Sequence, residues 1–359
     1  PVADCERCGP SSSRHVTVAS ISHIGSTVSA AWYGGVLAPN GYIYGIPGTA
    51  NTVLKIDPAT DTVTTFGSVS AVTGITTAQN SYFDGVLVGS DIYCVPHDGA
   101  INPEPVLVIN TSTDTLSAFG AIPGDTWWGR NAGGVKVGSR VWFIPCHHST
   151  TNDPTSPIRS VDTTVPQVDT HGSTSSLGGG TGSRWWRGAL VGSTIYCAPR
   201  DATNVLKIDT STGNGSTFGS LSGSDKWRDI IYANGKLWLI PNGGTLRTID
   251  PTTDTVSSSL GGTNGYGAGV RAAFDGHIYA VHGSRILDIT PSSAAAGGGV
   301  GQAVTNYTPL SVTGYSALVE LPGAGRLYGI PAGSGSGQKV LRVDLSFRSA
   351  GWSVGFLKF

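Results

Sequence analysis

Short apolar runs separated by Gly, Pro, Asn and Asp recur along this chain in a fixed order of four. In the first clear copy, residues 35–38 form an apolar run and Pro39-Asn40-Gly41 a turn. Tyr42-Ile43-Tyr44-Gly45-Ile46 follows, then a loop, Val53-Leu54-Lys55-Ile56-Asp57, a second turn and Thr62-Val63-Thr64-Thr65-Phe66. Runs of four to six β-branched or aromatic residues bounded by turn formers predict strands, here labelled A to D. Strand B has a signature: an aromatic, two further residues and a proline. It begins at Tyr44, Tyr93, Trp142, Tyr196, Trp238, Tyr279 and Tyr328, and only the sixth copy breaks it, with His282 in place of proline. The aromatics are spaced by 49, 49, 54, 42, 41 and 49 residues. A period in the forties is one four-stranded blade, so the pattern predicts an all-β, seven-bladed β-propeller of antiparallel blades.

One repeat covers nearly the whole chain, so residues 15–359 read as a single domain behind an N-terminal tail of residues 1–14. Residues 15–19 parallel the strand D at Thr62-Val63-Thr64 but lack A, B and C of their own, whereas residues 317–345 supply A, B and C. An N-terminal strand completing the last blade would therefore close the ring and remove its open edges. Residues 352–359 are then surplus, a competing strand D or a docked tail. Asp57, Asp162, Asp209, Asp250 and Asp344 end strand C in five copies and read as turn formers, since a short carboxylate bonds the backbone two residues on.

The segment Ile56-Asp57-Pro58-Ala59-Thr60-Asp61-Thr62-Val63 returns as Ile249-Asp250-Pro251-Thr252-Thr253-Asp254-Thr255-Val256. Through it the chain resembles the repeat propellers grouped as YncE-like, NHL and kelch-like, which implies the fold and no particular activity. Virginiamycin-lyase-like enzymes share the repeat style, but no catalytic histidine set of theirs matches positions here.

Composition narrows the setting. Charged residues are only 13% of the chain, against about a quarter in ordinary domains, and 52 glycines with many Ser and Thr replace them. A net charge of −1 gives no pull on nucleic acid, and no apolar run is long enough for membrane insertion. Low charge and the absence of methionine lean towards an extracellular or particle-surface protein. Cys94 and Cys197 share one strand-B position and read as small buried hydrophobes. Cys5 and Cys8 form a lone CxxC, open between free thiols, a disulfide and half a metal site.

Candidate chemistry collects on one face. With four alternating strands, the D–A and B–C loops share a face, and the A–B and C–D turns share the other, which reads as plain structure. Trp32, Trp127, Trp128, Trp185, Trp186 and Trp227 lie at D–A entries, with Tyr82, Phe83, Tyr266 and Tyr315 at neighbouring repeat positions. Arg130, Arg187, Arg228 and Arg271 follow them, among Asp84 and Asp229. The B–C loops add His97, His147, His148, Arg200 and His282. Either the aromatics wedge blades apart while Arg and Asp pair around the channel, or the set forms a ring of stacking and hydrogen-bonding groups. The histidines lie in three different blades, so no catalytic residue, metal site or cofactor is expected from them. No helix is expected.

Three functions fit. The expectation is a non-enzymatic structural or interaction module on an extracellular or virion-type assembly, docking a protein partner through this face. A carbohydrate-binding propeller is the alternative, and it requires several similar pockets. A lyase or hydrolase is the third, and it requires one asymmetric cluster at the channel mouth.

Overall fold

In the computed structural model, residues 13–23, 31–75, 81–97, 103–122, 131–148, 157–177, 179, 182–260, 265, 267–282, 285–291, 314–332 and 339–348 are described. They form seven blades in a closed ring. Blade 1 runs Trp32–Leu37, Ile43–Pro47, Val53–Asp57 and Thr62–Phe66 as strands A to D, each hydrogen-bonded to the next. The inner A strands of blades 2 to 7 are Tyr82–Val88, Asn131–Val137, Trp185–Val191, Trp227–Ala233, Gly269–Arg271 and Tyr315–Leu321. Each A strand touches the next, and that of blade 7 touches that of blade 1.

The ring closes as the repeat implies. Ser13–His23 pairs antiparallel with Lys339–Arg348 as the outer strand of blade 7, with Val18 opposite Val343. Residues 352–359 lie outside the described residues. Two sequence expectations need correction. Asp344 forms no turn: strand C of blade 7 runs through it to Arg348 to meet the N-terminal strand, and its carboxylate bonds Arg326 and Arg342, both at 2.9 Å. Asp57, Asp162, Asp209 and Asp250 do cap their turns, each accepting the N–H two residues on at 2.8–3.0 Å. A helix also occurs, Val69–Thr73, because Asn51 from the facing loop accepts the Ser70 N–H at 2.7 Å and Gly74 closes the turn at φ 75°.

The core sits between blades rather than in a single centre. Trp32, Ile43 and Leu54 of blade 1 pack with Val319, Tyr328 and Ile330 of blade 7. The next wedge joins Tyr44 and Ile46 to Ile92 and Cys94 of blade 2. The residue before the motif proline acts as a knob entering the following blade at a glycine of strand A. A Cβ on Gly35 would lie 2.5 Å from Ile330, and one on Gly188 would lie 2.8 Å from Ile144. Between blades 4 and 5 the sizes are exchanged: the knob is Ala198 and the socket residue Ile230, within one buried cluster. Cys94 and Cys197 are fully buried in these wedges, and Cys5 and Cys8 lie outside the described residues.

The turn face carries an inter-blade clamp. Tyr44 Oη donates to Asp114 of the next blade at 2.8 Å, and Lys55 Nζ reaches the same carboxylate at 2.5 Å. Tyr196 and Lys207 meet Asp254 in the same way, at 3.3 and 2.6 Å. Across the closure, Tyr328 donates to Asp61 at 2.8 Å and Arg342 pairs with it. The three acceptors sit at φ 53–56°, a left-handed conformation that Asp tolerates better than most residues.

Candidate active site

The site begins with a register event repeated in six blades. The first residue of strand A pairs with the motif proline: Trp32 with Pro47, Tyr82 with Pro96, Trp185 with Pro199, Trp227 with Pro241. Immediately afterwards the register shifts in blades 2 to 5 and 7, and one residue later, at Gly34, in blade 1. A bulge at a strand end bends the chain and re-aims the next side chain. The entry residue and its successor consequently do different jobs.

The entry residues of blades 1, 2, 4 and 5 serve the scaffold, whereas Tyr315 of blade 7 lines the cavity itself. Trp32, Trp185 and Trp227 are at most 2% exposed, and each donates Nε1 to the carbonyl just before strand C of its own blade: Thr52 at 2.8 Å, Asn204 at 2.9 Å, Thr245 at 2.7 Å. Tyr82 does the same through its hydroxyl, to Pro105 at 3.0 Å. The stacking surface lies one residue further along. Tyr33, Phe83, Trp186, Arg228 and Ser316, each the successor of an entry residue, line a cavity of about 180 Å³ at the channel mouth, together with Arg187. Sequence reasoning passed over Tyr33 and Ser316. A signal for them exists: in five of the six entry pairs (Trp-Tyr, Tyr-Phe, Trp-Trp, Trp-Arg, Tyr-Ser) the first residue stays aromatic while the second varies, and Asn131-Ala132 of blade 3 departs from it.

One wall is aromatic. Tyr33 stacks on Phe83 with centroids 4.4 Å apart, and Phe83 leans on Trp186 at 5.2 Å. Buried Cys146 packs behind this wall. His97 sets its ring 4.5 Å from Phe83, and its Nδ1 donates to Asn131 O at 2.6 Å, which leaves Nε2 as the basic nitrogen of the neutral ring. Burial raises the Tyr33 pKa, with Arg228 opposing.

Charge converges on the same place from three blades. The guanidinium of Arg200 lies 4.2 Å over Trp186 and that of Arg228 4.9 Å over it. Arg200 is paired with Asp225 at 2.6 Å. Arg187 stands 3.6 Å from Asp84; burial works against its charge, yet Asp84 and Asp229 raise its pKa above the ordinary value. Asp229 accepts the Ile230 and Gly269 N–H groups at 2.8 and 2.9 Å. Burial still pushes its carboxyl up to about 6, against the pull of Arg187 and of those two bonds. Arg228 moves the other way, its pKa lowered by burial and by Arg200.

The remaining expected residues are placed only in part. Trp127, Trp128 and Arg130 lie outside the described residues, and His147, His148 and His282 are described in their backbone alone. His147–His148 pairs with Gly182–Ser183, beside the entry to blade 4, and His282 ends strand Ile278–His282 opposite Arg285. Among the described residues no group of three or more His, Cys, Asp or Glu is placed to hold a metal. No helix among them is long and apolar enough to cross a membrane.

No family model and no curated protein matches the chain. Solved structures do match its fold. A streptogramin B lyase is 14% identical with a TM-score of 0.68, covering 92% of this chain and 98% of that one. A catalytically inactive histidine-to-alanine variant of virginiamycin B lyase from Staphylococcus aureus, solved with quinupristin, is 11% identical with a TM-score of 0.65, covering 92% and 100%. The extracellular domain of a B. thetaiotaomicron two-component system is 10% identical with a TM-score of 0.59, covering 90% of this chain and 39% of that one. The resemblance to YncE-like, NHL and kelch-like propellers stands at the level of fold. The expectation of a non-enzymatic structural or docking module, with its virion setting and its carbohydrate-binding alternative, is overturned. The two lyase structures above match along nearly their whole length, and the described channel mouth holds an asymmetric Arg–Asp–aromatic cluster.

Proposed function

We propose that this protein is a lyase whose site is the channel-mouth cavity. The observation that carries the reading is the convergence of Arg187 and Arg228 on one cavity, backed by Asp84 and Asp229 and faced by Tyr33, Phe83 and Trp186. An elimination passes a proton from one carbon to a base or to water and places negative charge on the group departing from the next carbon, and preorganised cations in a water-poor site stabilise that charge far better than water does. Arg187, fixed between two carboxylates, supplies such a cation without reorganising. Tyr33, a phenol whose pKa burial raises from the ordinary 10, supplies a hydrogen-bond donor in the same cavity. The aromatic wall holds an apolar part of the substrate. A cavity of about 180 Å³ admits one group of a larger molecule, so a substrate as large as quinupristin would enter by a single side chain. Low charge and the likeness to an extracellular domain support an extracellular setting.

The test is incubation with quinupristin and virginiamycin B, with products separated and weighed. Elimination leaves the summed product mass equal to that of the substrate, whereas hydrolysis adds one water. Arg187→Ala is expected to lower kcat/KM by about 10²–10³-fold, the usual effect of removing one preorganised donor. Water in the products would replace the lyase reading with a hydrolase. No cleavage of either compound, or unchanged turnover in Arg187→Ala, would refute the assignment.

A further inference from the structure

Arg228 carries a charge that nothing in the described protein neutralises directly. Its Nε is buried without a hydrogen-bond partner, and among the described residues no carboxylate stands within ion-pair distance of its guanidinium. The nearby acids are engaged elsewhere: Asp225 with Arg200 at 2.6 Å, and Asp84 and Asp229 with Arg187. Burial and then the like charges of Arg200 and Arg187 lower its pKa, against the opposing pull of Asp225 and Tyr33. A half-buried cation left short of a partner is costly, and such groups ordinarily find one.

Stacking accounts for the orientation of Arg228 but not for its charge. The guanidinium lies 4.9 Å over Trp186, and its terminal nitrogens make no hydrogen bond or ion pair to a described residue, so they stay available for a planar acceptor. The stacked pair Tyr33–Phe83 lines the same cavity. The Ser316 hydroxyl there makes only long bonds, 3.3 and 3.4 Å, to Trp32 O and Ile330 O. Size completes the description. An apolar cavity of roughly 150 Å³ takes up benzene, so about 180 Å³ accommodates one such ring with a small substituent.

We propose that the cavity binds a single aromatic ring bearing a carboxylate, the ring against Tyr33 and Phe83 and the carboxylate on the fork of Arg228. This deepens the lyase reading and rests on it in taking the cavity as the substrate site. Neither Arg187, neutralised on two sides, nor Arg200, paired with Asp225, offers an equivalent unpaired fork.

Benzoate and benzamide share a shape and differ in charge, so their binding to the intact protein, followed by tryptophan fluorescence and calorimetry, separates charge from fit. Benzoate is expected to bind at least ten-fold tighter, with added salt weakening it. Arg228→Ala and Arg228→Gln should remove the preference while benzamide still binds, which also reports that the variants fold. Arg228→Lys should keep part of it, since an ammonium supplies charge without the fork. Equal binding of the two probes, binding of neither, or a preference that survives in both neutral variants overturns the inference. Cleavage of lyase substrates by a protein without the preference would remove this inference and leave the lyase reading. A carboxylate preference in a protein that cleaves neither compound would do the reverse.

Discussion

Replacing Asp61 should loosen the ring where its two ends meet, by an amount that depends on the replacement. Asp61 accepts a hydrogen bond from Tyr328 at 2.8 Å and pairs with Arg342, while its own backbone sits at φ 56°. A hydrogen bond to a charged group contributes about 1.5–3 kcal/mol. The ion pair, between side chains 28% and 25% exposed, adds only about 0.2–1 kcal/mol. A residue with a Cβ at this φ costs a further 1–2 kcal/mol or so, which glycine escapes. Asp61→Asn keeps an acceptor and tolerates the backbone, so roughly 1 kcal/mol is expected. Asp61→Gly loses the clamp alone, about 2–4 kcal/mol, and Asp61→Ala loses the clamp and strains the chain, about 3–5 kcal/mol. Urea unfolding followed by tryptophan fluorescence gives the order, and a cycle with Tyr328→Phe gives the coupling, expected at about 1.5–3 kcal/mol. If the three variants unfold together, or the cycle shows no coupling, the clamp does not hold the ring and the argument fails.

Two further outcomes follow from neighbouring features. The His171 ring lies on Trp142 and meets Ser160 at 2.8 Å, and burial, then Arg140, lowers its pKa from the ordinary 6.5 against Asp169. The unfolded chain therefore binds a proton more readily. Stability should rise with pH from the lowered folded value up to about 6.5, and a urea series in His171→Gln with an unchanged slope would contradict this. Trp185→Phe should cost about 1–3 kcal/mol by leaving Asn204 O without its donor. Trp186→Phe should cost less in thermal melts and act instead on ligand binding, so equal melting losses would blur the division between entry residue and successor.

How much of this was legible beforehand depended on range. The strand order, the blade count and the N-terminal closure are local patterns: Thr17-Val18 reads like Thr62-Val63 because both are outer strands. Asp344 misled because its own segment is like its counterparts, and only the partner strand decides that the chain runs straight through it. Ser316 was missed for a geometric reason. Period-two alternation tells which side chain faces the channel until a bulge shifts it by one, and that shift lies in the pairing. Tyr44 and Asp114 are 70 residues apart, so their contact is invisible to any window. Function was misjudged for the same reason, since Phe83, Arg187 and Arg228 become one site only when the ring is assembled.

The exchange of sizes between Ala198 and Ile230 bears on how such a molecule can grow. Inserting a second copy of blade 4 would set the short Ala198 before Gly188 and leave a void where Ile144 now fits. Deleting blade 4 would force Ile144 upon Ile230 and crowd the seam. Gene duplication usually lengthens repeat arrays by copying a unit, and here both gain and loss of that unit are penalised by shape. Seven is thus written into individual seams as well as into the closure, giving the blades an address and not merely a number.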